Sequence, residues 1–452
     1  MNAFFVGIGG MGMSGLAKIL HTAGNRVAGS DRALDGDYCR RLRELGVTIY
    51  PQDGNGPRRF LEETGLRAED VVIVKSTAVE DKVPDIVTAR DLGVREIMRS
   101  DLLAEMVNST RGIAVGGTAG KTTTTGLIAW ILKHAGLDPS CAVGGIMSGL
   151  ETNAFRGAGP HFVIEADESD GSIVKYTPYI SLITNISRDH KSLDELKDLF
   201  GQFLANTDPA GACIICGDDP HLPELAGRAA GRVIKYGLGA SNDLRADHIT
   251  VGAGKVTFTV DGTHFEIRLP GQHNVLNALA VIAVARFAGI SDAKTAEAMR
   301  AFPGMKRRFE HVGTARGVTI IDDFAHNPAE IAAAIRTARQ ASRRRFIVYQ
   351  PHGYGPTRFT RDDLVRVFTD LTHDEYLYLD DIFYGGGTVE KDISSKDIID
   401  EVRQRFSNAY YHGSRDKIVS DIVKEARDGD MVLVMGARDV NTICRRILDC
   451  LQ

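Results

Sequence analysis

Residues 116–125 read Gly116-Gly117-Thr118-Ala119-Gly120-Lys121-Thr122-Thr123-Thr124-Thr125. The apolar run Gly112-Ile113-Ala114-Val115 precedes them, and Gly126-Leu127-Ile128-Ala129-Trp130-Ile131-Leu132 follows. The pattern predicts a strand, a phosphate-binding loop and a helix. The long form of such a loop places a glycine five residues before Gly120, where this chain has Val115. The loop is therefore read as a shortened one, Gly117-Thr118-Ala119-Gly120-Lys121-Thr122, continuing into Thr123. Gly117 and Gly120 allow backbone N–H groups to turn toward phosphate oxygens, and the helix that follows adds its positive end. Lys121 is expected to neutralise β/γ-phosphate charge, and the Thr122 hydroxyl to ligate magnesium. The competing reading is a plain glycine-rich turn, which leaves the Gly-Lys-Thr-Thr core without a purpose.

A second glycine loop lies upstream. Phe4-Phe5-Val6 reads as a strand, and Gly7, Gly9 and Gly12 form GxGxxG before a helical stretch that begins Met13-Ser14-Gly15-Leu16-Ala17. The strand Arg26–Ser30 ends at Asp31, and the strand Val71–Lys75 ends in Ser76-Thr77. Strands alternate with helical patterns, which predicts a parallel sheet wound by helices, with ligands at the carboxyl ends of its strands. Alone, this loop is compatible with a nicotinamide cofactor, a flavin, another diphosphate, or simply a tight turn. A dehydrogenase reading rests on this loop and Asp31, and gives the second loop no role.

Downstream, Phe162-Val163-Ile164, Ile180–Ile183 and Cys213–Cys216 read as further strands. From about 231 to 270 the pattern shifts to short alternating runs, with Asp261-Gly262 as a hairpin turn, so a small antiparallel piece is expected there. A helix is expected from about Asn274. Phe302-Pro303-Gly304 reads as a hinge into a third α/β segment, with strands near 318–321, 346–349, 376–379 and 431–435. The expected domains are 1–107, 108–302 and 303–452. At 452 residues the chain suits about three domains of ordinary size.

Charged residues make up 25% and hydrophobic ones 43%, as in soluble globular proteins. The net charge of −5 comes with no basic block, which disfavours nucleic-acid binding. We find no signal peptide and no apolar run long enough for a bilayer, so no membrane insertion is expected. Cys213 and Cys216 have CxxC spacing but sit in an apolar strand, so they read as core cysteines of a protein in the reducing cytoplasm.

The order of motifs resembles the Mur ligases, ATP-dependent enzymes that join an amino acid or peptide to a UDP-N-acetylmuramoyl carrier. The resemblance rests on the two glycine loops, on Glu165-Ala166-Asp167-Glu168-Ser169-Asp170, Thr184-Asn185-Ile186 with Asp189-His190, and Gly271-Gln272-His273-Asn274-Val275-Leu276-Asn277-Ala278. It continues through Arg307-Arg308-Phe309-Glu310, Asp322-Asp323-Phe324-Ala325-His326-Asn327-Pro328 and Pro351-His352. It is strongest to the members that add L-alanine. The fold it implies is a Rossmann-like UDP-binding domain, a central phosphate-loop ATPase domain with a small antiparallel sheet, and a C-terminal Rossmann-like α/β domain.

The same resemblance implies roles. The first loop, through Gly9, Gly10, Gly12, Met13 and Ser14, would hold the UDP diphosphate, with Asp31, Ser76 and Thr77 near the uridine end. Lys121 and Thr122 would hold ATP and Mg2+, with Glu165 and His190 as further metal ligands. Asn274 matches an adenine-contacting position, Asp322 or Asp323 an acid near the ribose, and Arg308 a residue reaching the γ-phosphate. The implied reaction proceeds through an acyl phosphate. Position and chemistry, apart from the resemblance, make His326 the residue expected to assist proton removal from the incoming amine.

One stretch departs from the family. The alanine-adding members read Pro-His-Arg-Tyr-Thr-Arg-Thr-Arg where this chain reads Pro351-His352-Gly353-Tyr354-Gly355-Pro356-Thr357-Arg358. Two arginines that grip the amino-acid carboxylate are thus replaced by Gly353 and Pro356, which leaves His352 and Arg358 as the expected acceptor contacts. The ATP half reads as kept and the acceptor pocket as rebuilt. The glycine run Gly385-Gly386-Gly387 reads as another altered loop. The acceptor is L-alanine if Arg358 or another cation compensates. The alternatives are a different acceptor such as a murein peptide, or a nucleotide-binding regulator without catalysis.

Overall fold

The computed structural model describes residues 1–187, 191–252, 254–384 and 390–452. The first sheet contains β1 (Asn2–Val6), β2 (Val27–Asp31), β3 (Thr48–Pro51), β4 (Val71–Lys75) and β5 (Arg95–Met98), in the order β3-β2-β1-β4-β5. All its pairings are parallel. Phe4, Phe5, Val6, Ile73 and Val74 are buried, the continuous apolar pattern of a sheet covered on both faces. Strand order reverses between β1 and β4, which opens a crevice at their carboxyl ends. The Gly7–Gly12 loop follows β1, and Ser76-Thr77 follow β4.

The second sheet contains β6 (Arg111–Gly116), β7 (Ser140–Met147), β8 (Thr152–Phe155), β9 (His161–Glu165), β10 (Ile180–Ile183), β11 (Ala212–Cys216), β12 (Arg232–Gly237) and β13 (Leu244–Arg245). Its order is β13-β12-β11-β10-β6-β9-β7-β8, parallel except for β8 against β7. The strand before the phosphate loop is therefore central, flanked by β10 and β9. Cys213 and Cys216 are buried, unlinked core residues of β11.

A small sheet follows, made of β14 (Asp247–Val251), β15 (Val256–Val260) and β16 (Thr263–Ile267), all antiparallel. Asp261 and Gly262 both have positive φ (48° and 81°), as a two-residue turn with a right-handed strand twist requires. The alternation read from about 231 does not all belong to this sheet. β12 lies parallel to β11 in the large sheet, and the antiparallel part begins at Asp247. Short alternating runs reveal which face is buried, not which strand is the partner.

The fourth sheet contains β17 (Glu310–Ala315), β18 (Val318–Asp323), β19 (Arg345–Tyr349), β20 (Glu375–Leu379), β21 (Ala409–Tyr411) and β22 (Met431–Met435), in the order β17-β18-β22-β19-β20-β21. All pairs are parallel except β17 with β18. Four of these strands fall where the sequence predicts them. β17 and β21, at the sheet's edges, are too short or too polar to announce themselves.

The chain divides into two compact units. One comprises Met1–Ile186, Leu193–Arg245 and Leu279–Ala298; the other comprises Ser187–Ser192, Ala246–Ala278 and Met299–Gln452. The first contains the two large sheets at the N-terminal side, and the second contains the small sheet and the C-terminal sheet. Among the described residues, no helix is long and apolar enough to cross a membrane.

Asp85 is fully buried in the first turn of the helix Pro84–Asp91. Neither carboxylate oxygen has a hydrogen-bond partner among the described residues, and burial pushes the carboxyl up to about 6. An unfolded aspartate titrates near 3.9. Between those values the folded state keeps a proton that the unfolded state has lost, so this group subtracts stability as pH rises, and does so fully above about 6. Asp85→Asn should therefore raise the thermal midpoint at pH 7.5, with the gain shrinking toward pH 4, as read by calorimetry across that range.

Candidate active site

Gly10 caps the helix Met11–Thr22 with extended backbone and no side-chain hydrogen bond. The N–H groups of its first turn have no partner within the helix, and the helix starts at the β1–β4 crevice, an arrangement suited to an anion. Asp31 braces this loop: its carboxylate accepts from Gly9 N at 2.7 Å and from Ala33 N at 2.9 Å. A side chain at Gly9 would fall 2.8 Å from Cys39 Sγ and 2.9 Å from Asp31 Oδ2, so packing dictates that glycine. Gly10 and Gly12 are exposed, whereas Met13 and Ser14 are buried, with Ser14 Oγ donating to Met11 O at 3.0 Å. These two residues offer the site backbone rather than side chain. Ser76 is half-buried and Thr77 exposed beside them.

The phosphate loop runs from β6 into the helix Lys121–His134, with Gly117 at φ 121° and Gly120 at φ 85°. A methyl group on Gly117 would lie 2.1 Å from Thr184 Oγ1, so no other residue fits. Asn185 ties the loop down. Its carbonyl accepts from Thr118 N at 3.0 Å, its Oδ1 accepts from Ala119 N at 3.0 Å, and its Nδ2 donates to Ala119 O at 2.8 Å. With the Thr118 and Ala119 amides turned to Asn185, the anion-binding capacity rests on the first turn of the helix, through Gly120, Lys121, Thr122 and Thr123.

Two strand ends, those of β6 and β9, bring the charged groups together. Lys121 Nζ donates to Gly117 O at 2.6 Å and to Glu168 at 3.0 and 3.1 Å. Burial works against its charge, but the carboxylates of Glu168 and Glu165 outweigh burial and hold its pKa above the usual lysine value. Thr122 Oγ1 lies 3.1 Å from both oxygens of Glu165. Gly144 N donates to Glu165 Oε2 at 2.8 Å. This hydroxyl and carboxylate form a hard-oxygen pair of the kind magnesium prefers, and magnesium typically completes its shell with water and substrate phosphate. Among the described residues, no cluster of three acidic, histidine or cysteine side chains surrounds the position. His190 lies outside the described residues.

Between this pair and the first loop lies a cavity of about 140 Å³. Met11, Gly12, Arg99, Asn153, Glu165 and Asp167 are among its lining residues. Arg99 passes over Gly12, where a side chain would meet Arg99 Cδ at 3.3 Å, and its nearest carboxylate is Asp170 at 3.8 Å. The sequence reading missed Arg99. It opens the helix Arg99–Asn108 directly after β5, and a single arginine at a strand end carries no motif.

The second unit holds the remaining expected residues. Asn274 is buried in the first turn of the helix His273–Phe287, where Nδ2 donates to Pro270 O at 2.7 Å and Oδ1 accepts from Asn277 at 3.1 Å. Arg307 and Phe309 both adopt positive φ (59° and 49°), a strained backbone for such residues, and Arg308 sits between them. Asp323 fixes that geometry by accepting from Phe309 N and Ala325 N, each at 2.7 Å. Asp322 accepts from Arg307 Nε at 3.1 Å, and burial pushes its carboxyl up to about 6 despite that cation. Both acids thus brace the segment that carries Arg308. Arg308 lies against the Phe324 ring at 5.1 Å and 4.0 Å from Glu330.

His326 Nδ1 lies 3.2 Å from Phe324 O and 3.3 Å from Glu330 Oε2. These acceptors favour the proton on Nδ1, which leaves the Nε2 lone pair free to act as a base. His326 and His352 line one cavity of about 310 Å³, with Phe324, Tyr349, Pro356, Phe359 and Arg438 among their neighbours. Arg358 is not part of this lining; its guanidinium pairs with Asp392 and donates to Glu390 O at 3.3 Å. The glycine run 385–387 lies outside the described residues.

Residues 3–111 match the Mur ligase family catalytic domain, 115–285 the Mur ligase middle domain, and 307–438 the Mur ligase glutamate ligase domain. The UDP-N-acetylmuramate–L-alanine ligase of Nitratidesulfovibrio vulgaris is 38% identical, across 98% of this chain and 97% of its own length. The chain belongs to the Mur ligase family. The enzyme of the same description from Sorangium cellulosum is also 38% identical, over 98% of this chain and 94% of its own. Among solved structures, UDP-N-acetylmuramate–alanine ligase from Thermotoga maritima superposes on this Mur ligase with a TM-score of 0.80 at 27% identity, covering 99% of this chain and 98% of that one. A murein peptide ligase from Psychrobacter arcticus gives 0.71 at 26% identity, over 100% and 98%. The three-domain α/β architecture is thus that of the Mur ligases, and the chain is an ATP-dependent acid–amino-acid ligase of this type.

Gly144 offers a test of the oxygen pair. It is exposed, and a methyl there would lie 2.7 Å from Glu165 Oε2, so the carboxylate must shift. Gly144→Ala should raise the magnesium needed for half-maximal activity by roughly 10- to 100-fold, as displaced support of a metal ligand does, with little change in thermal midpoint.

Proposed function

We propose that this Mur ligase joins L-alanine to the carboxylate of UDP-N-acetylmuramate, converting ATP to ADP and phosphate. One observation carries the reading. Lys121, Thr122 and Glu165 converge at the carboxyl ends of β6 and β9, and the cavity beside them opens onto the first glycine loop. A phosphate-activating site and a diphosphate-binding helix therefore share one cleft. The L-alanine ligases among its relatives, matched over nearly the full chain, support the choice of substrates.

In this reading the helix Met11–Thr22 takes the UDP diphosphate on its N-terminal amides, with Asp31, Ser76 and Thr77 toward the uridine. The muramoyl carboxylate then reaches the cavity where Arg99 offsets its charge against Glu165 and Asp167. Lys121 leaves Glu168 for the β/γ-phosphates, an exchange of one anionic partner for another. A carboxylate oxygen bonds to the γ-phosphorus, the bond to the β–γ bridging oxygen breaks, and ADP departs. The amine nitrogen then attacks the acyl carbon, phosphate leaves, and His326 Nε2 takes the excess proton. Arg308 is assigned by family position to the charge that develops on the transferring group. Magnesium bound by Thr122 and Glu165, with His190 as a further ligand, would supply Lewis-acid neutralisation of phosphate charge. Asn274 is assigned to the adenine, and Asp322 or Asp323 to the ribose, by family position.

A different acceptor, such as a murein peptide, is favoured by one feature: Gly353 and Pro356 offer no side-chain donor at the two positions where a carboxylate clamp is expected. Product mass separates the two readings. Purified protein with ATP, magnesium, UDP-N-acetylmuramate and L-alanine should release phosphate and form a product heavier than the donor by one alanyl residue. Lys121→Ala should lower that rate by at least 100-fold. Undiminished nucleotide consumption by this variant would refute the assignment.

A further inference from the structure

The cavity between His326 and Arg438 has an aromatic wall and, at its rim, a guanidinium that no carboxylate among the described residues pairs. Phe324, Tyr349, Pro356 and Phe359 supply the apolar surface. Arg438 follows β22 and is exposed at the rim. Its Nε donates to His352 Nε2 at 3.1 Å, and its guanidinium carbon lies 5.6 Å from the centre of the Phe383 ring. No carboxylate among the described residues forms an ion pair with it. Neighbouring arginines differ: Arg358 pairs with Asp392, Arg415 with Asp380 and Asp439, and Arg307 with Asp322.

His352 fixes how this guanidinium is presented. By accepting from Arg438 Nε, the imidazole must be neutral with its proton on Nδ1. The Nε edge of the guanidinium is thereby occupied, and its two terminal nitrogens form a donor fork. A planar fork of this kind matches a carboxylate. In the same cavity, His326 offers an Nε2 lone pair to an amine. A base for an amine and a fork for a carboxylate, with an apolar wall beside them, together describe a free α-amino acid with an apolar side chain.

We propose that Arg438, held by His352, anchors the carboxylate of the acceptor amino acid. This deepens the ligase reading above and rests on it. The anchor comes from the loop after β22, whereas Pro356, at one of the two positions where the family's arginines grip the carboxylate, lines the cavity without a charged donor. Arg438 is thereby a specificity-determining residue: an acceptor without a free carboxylate next to its amine forfeits the fork.

The test separates acceptor binding from donor activation. Hydroxylamine traps an acyl phosphate as a hydroxamate without needing a carboxylate anchor. In Arg438→Ala, the KM for L-alanine should rise about 10- to 100-fold, the range for losing a charge-assisted hydrogen bond. Hydroxamate formation from UDP-N-acetylmuramate and ATP should stay at the parent rate, and the KM values for ATP and the donor should hold. Arg438→Lys, which keeps the charge but not the fork, should fall between the two. The proposal is overturned if the L-alanine KM of Arg438→Ala stays near the parent value, or if hydroxamate formation drops in step with ligation. It is also overturned if the parent protein forms hydroxamate but does not turn over L-alanine. A parent protein that forms no hydroxamate removes the underlying ligase reading instead.

Discussion

The ammonium of Lys121, paired with Glu168 and further stabilised by the charge of Glu165, is the interaction around which the phosphate loop is arranged. A buried cation needs partners, and buried carboxylates need them equally. The sheet supplies both by placing β6 between β9 and β10, so that the phosphate loop, the Glu165–Glu168 segment and Thr184-Asn185 meet at one edge. In the proposed reading, ATP would bring more negative charge to a place that already has several carboxylates, and the lysine, the helix terminus and a cation would offset it.

The loop is constrained as well as charged. Asn185 claims the Thr118 and Ala119 amides, and Thr184 stands so close to Gly117 that only hydrogen fits there. These contacts transfer the anion-binding role to the helix start. They also tie the loop to a neighbouring strand end, which keeps Lys121 and Thr122 in register with Glu165.

The parallel strands were legible in the sequence because strands buried on both faces are written as near-continuous apolar runs, as in Phe4–Val6, Phe162–Ile164 and Met431–Val434. The hairpin at Asp261-Gly262 was legible because two successive positive φ values restrict the residue choice. β17 and β21 were not, since edge strands bury too little to impose a pattern. The two glycine loops and Glu165 could be found as motifs, whereas Arg99 and Arg438 could not. Each is a lone arginine after a strand, and its meaning comes only from what the fold sets beside it: Gly12 and Glu165 for one, His352 and an aromatic wall for the other. Asp322 and Asp323 were legible as functional-looking acids, but the hydrogen bonds that turn them toward Arg307, Phe309 and Ala325 lie in three dimensions.

The bracing by Asp323 has a mechanical corollary. Because one carboxylate holds the backbone at both Phe309 and Ala325, the chain just after Arg308 is tied to the end of β18. The side chain of Arg308 keeps its own torsions, but the backbone it starts from is moored to the sheet, and a slackened mooring would let the strained turn at Arg307 and Phe309 relax.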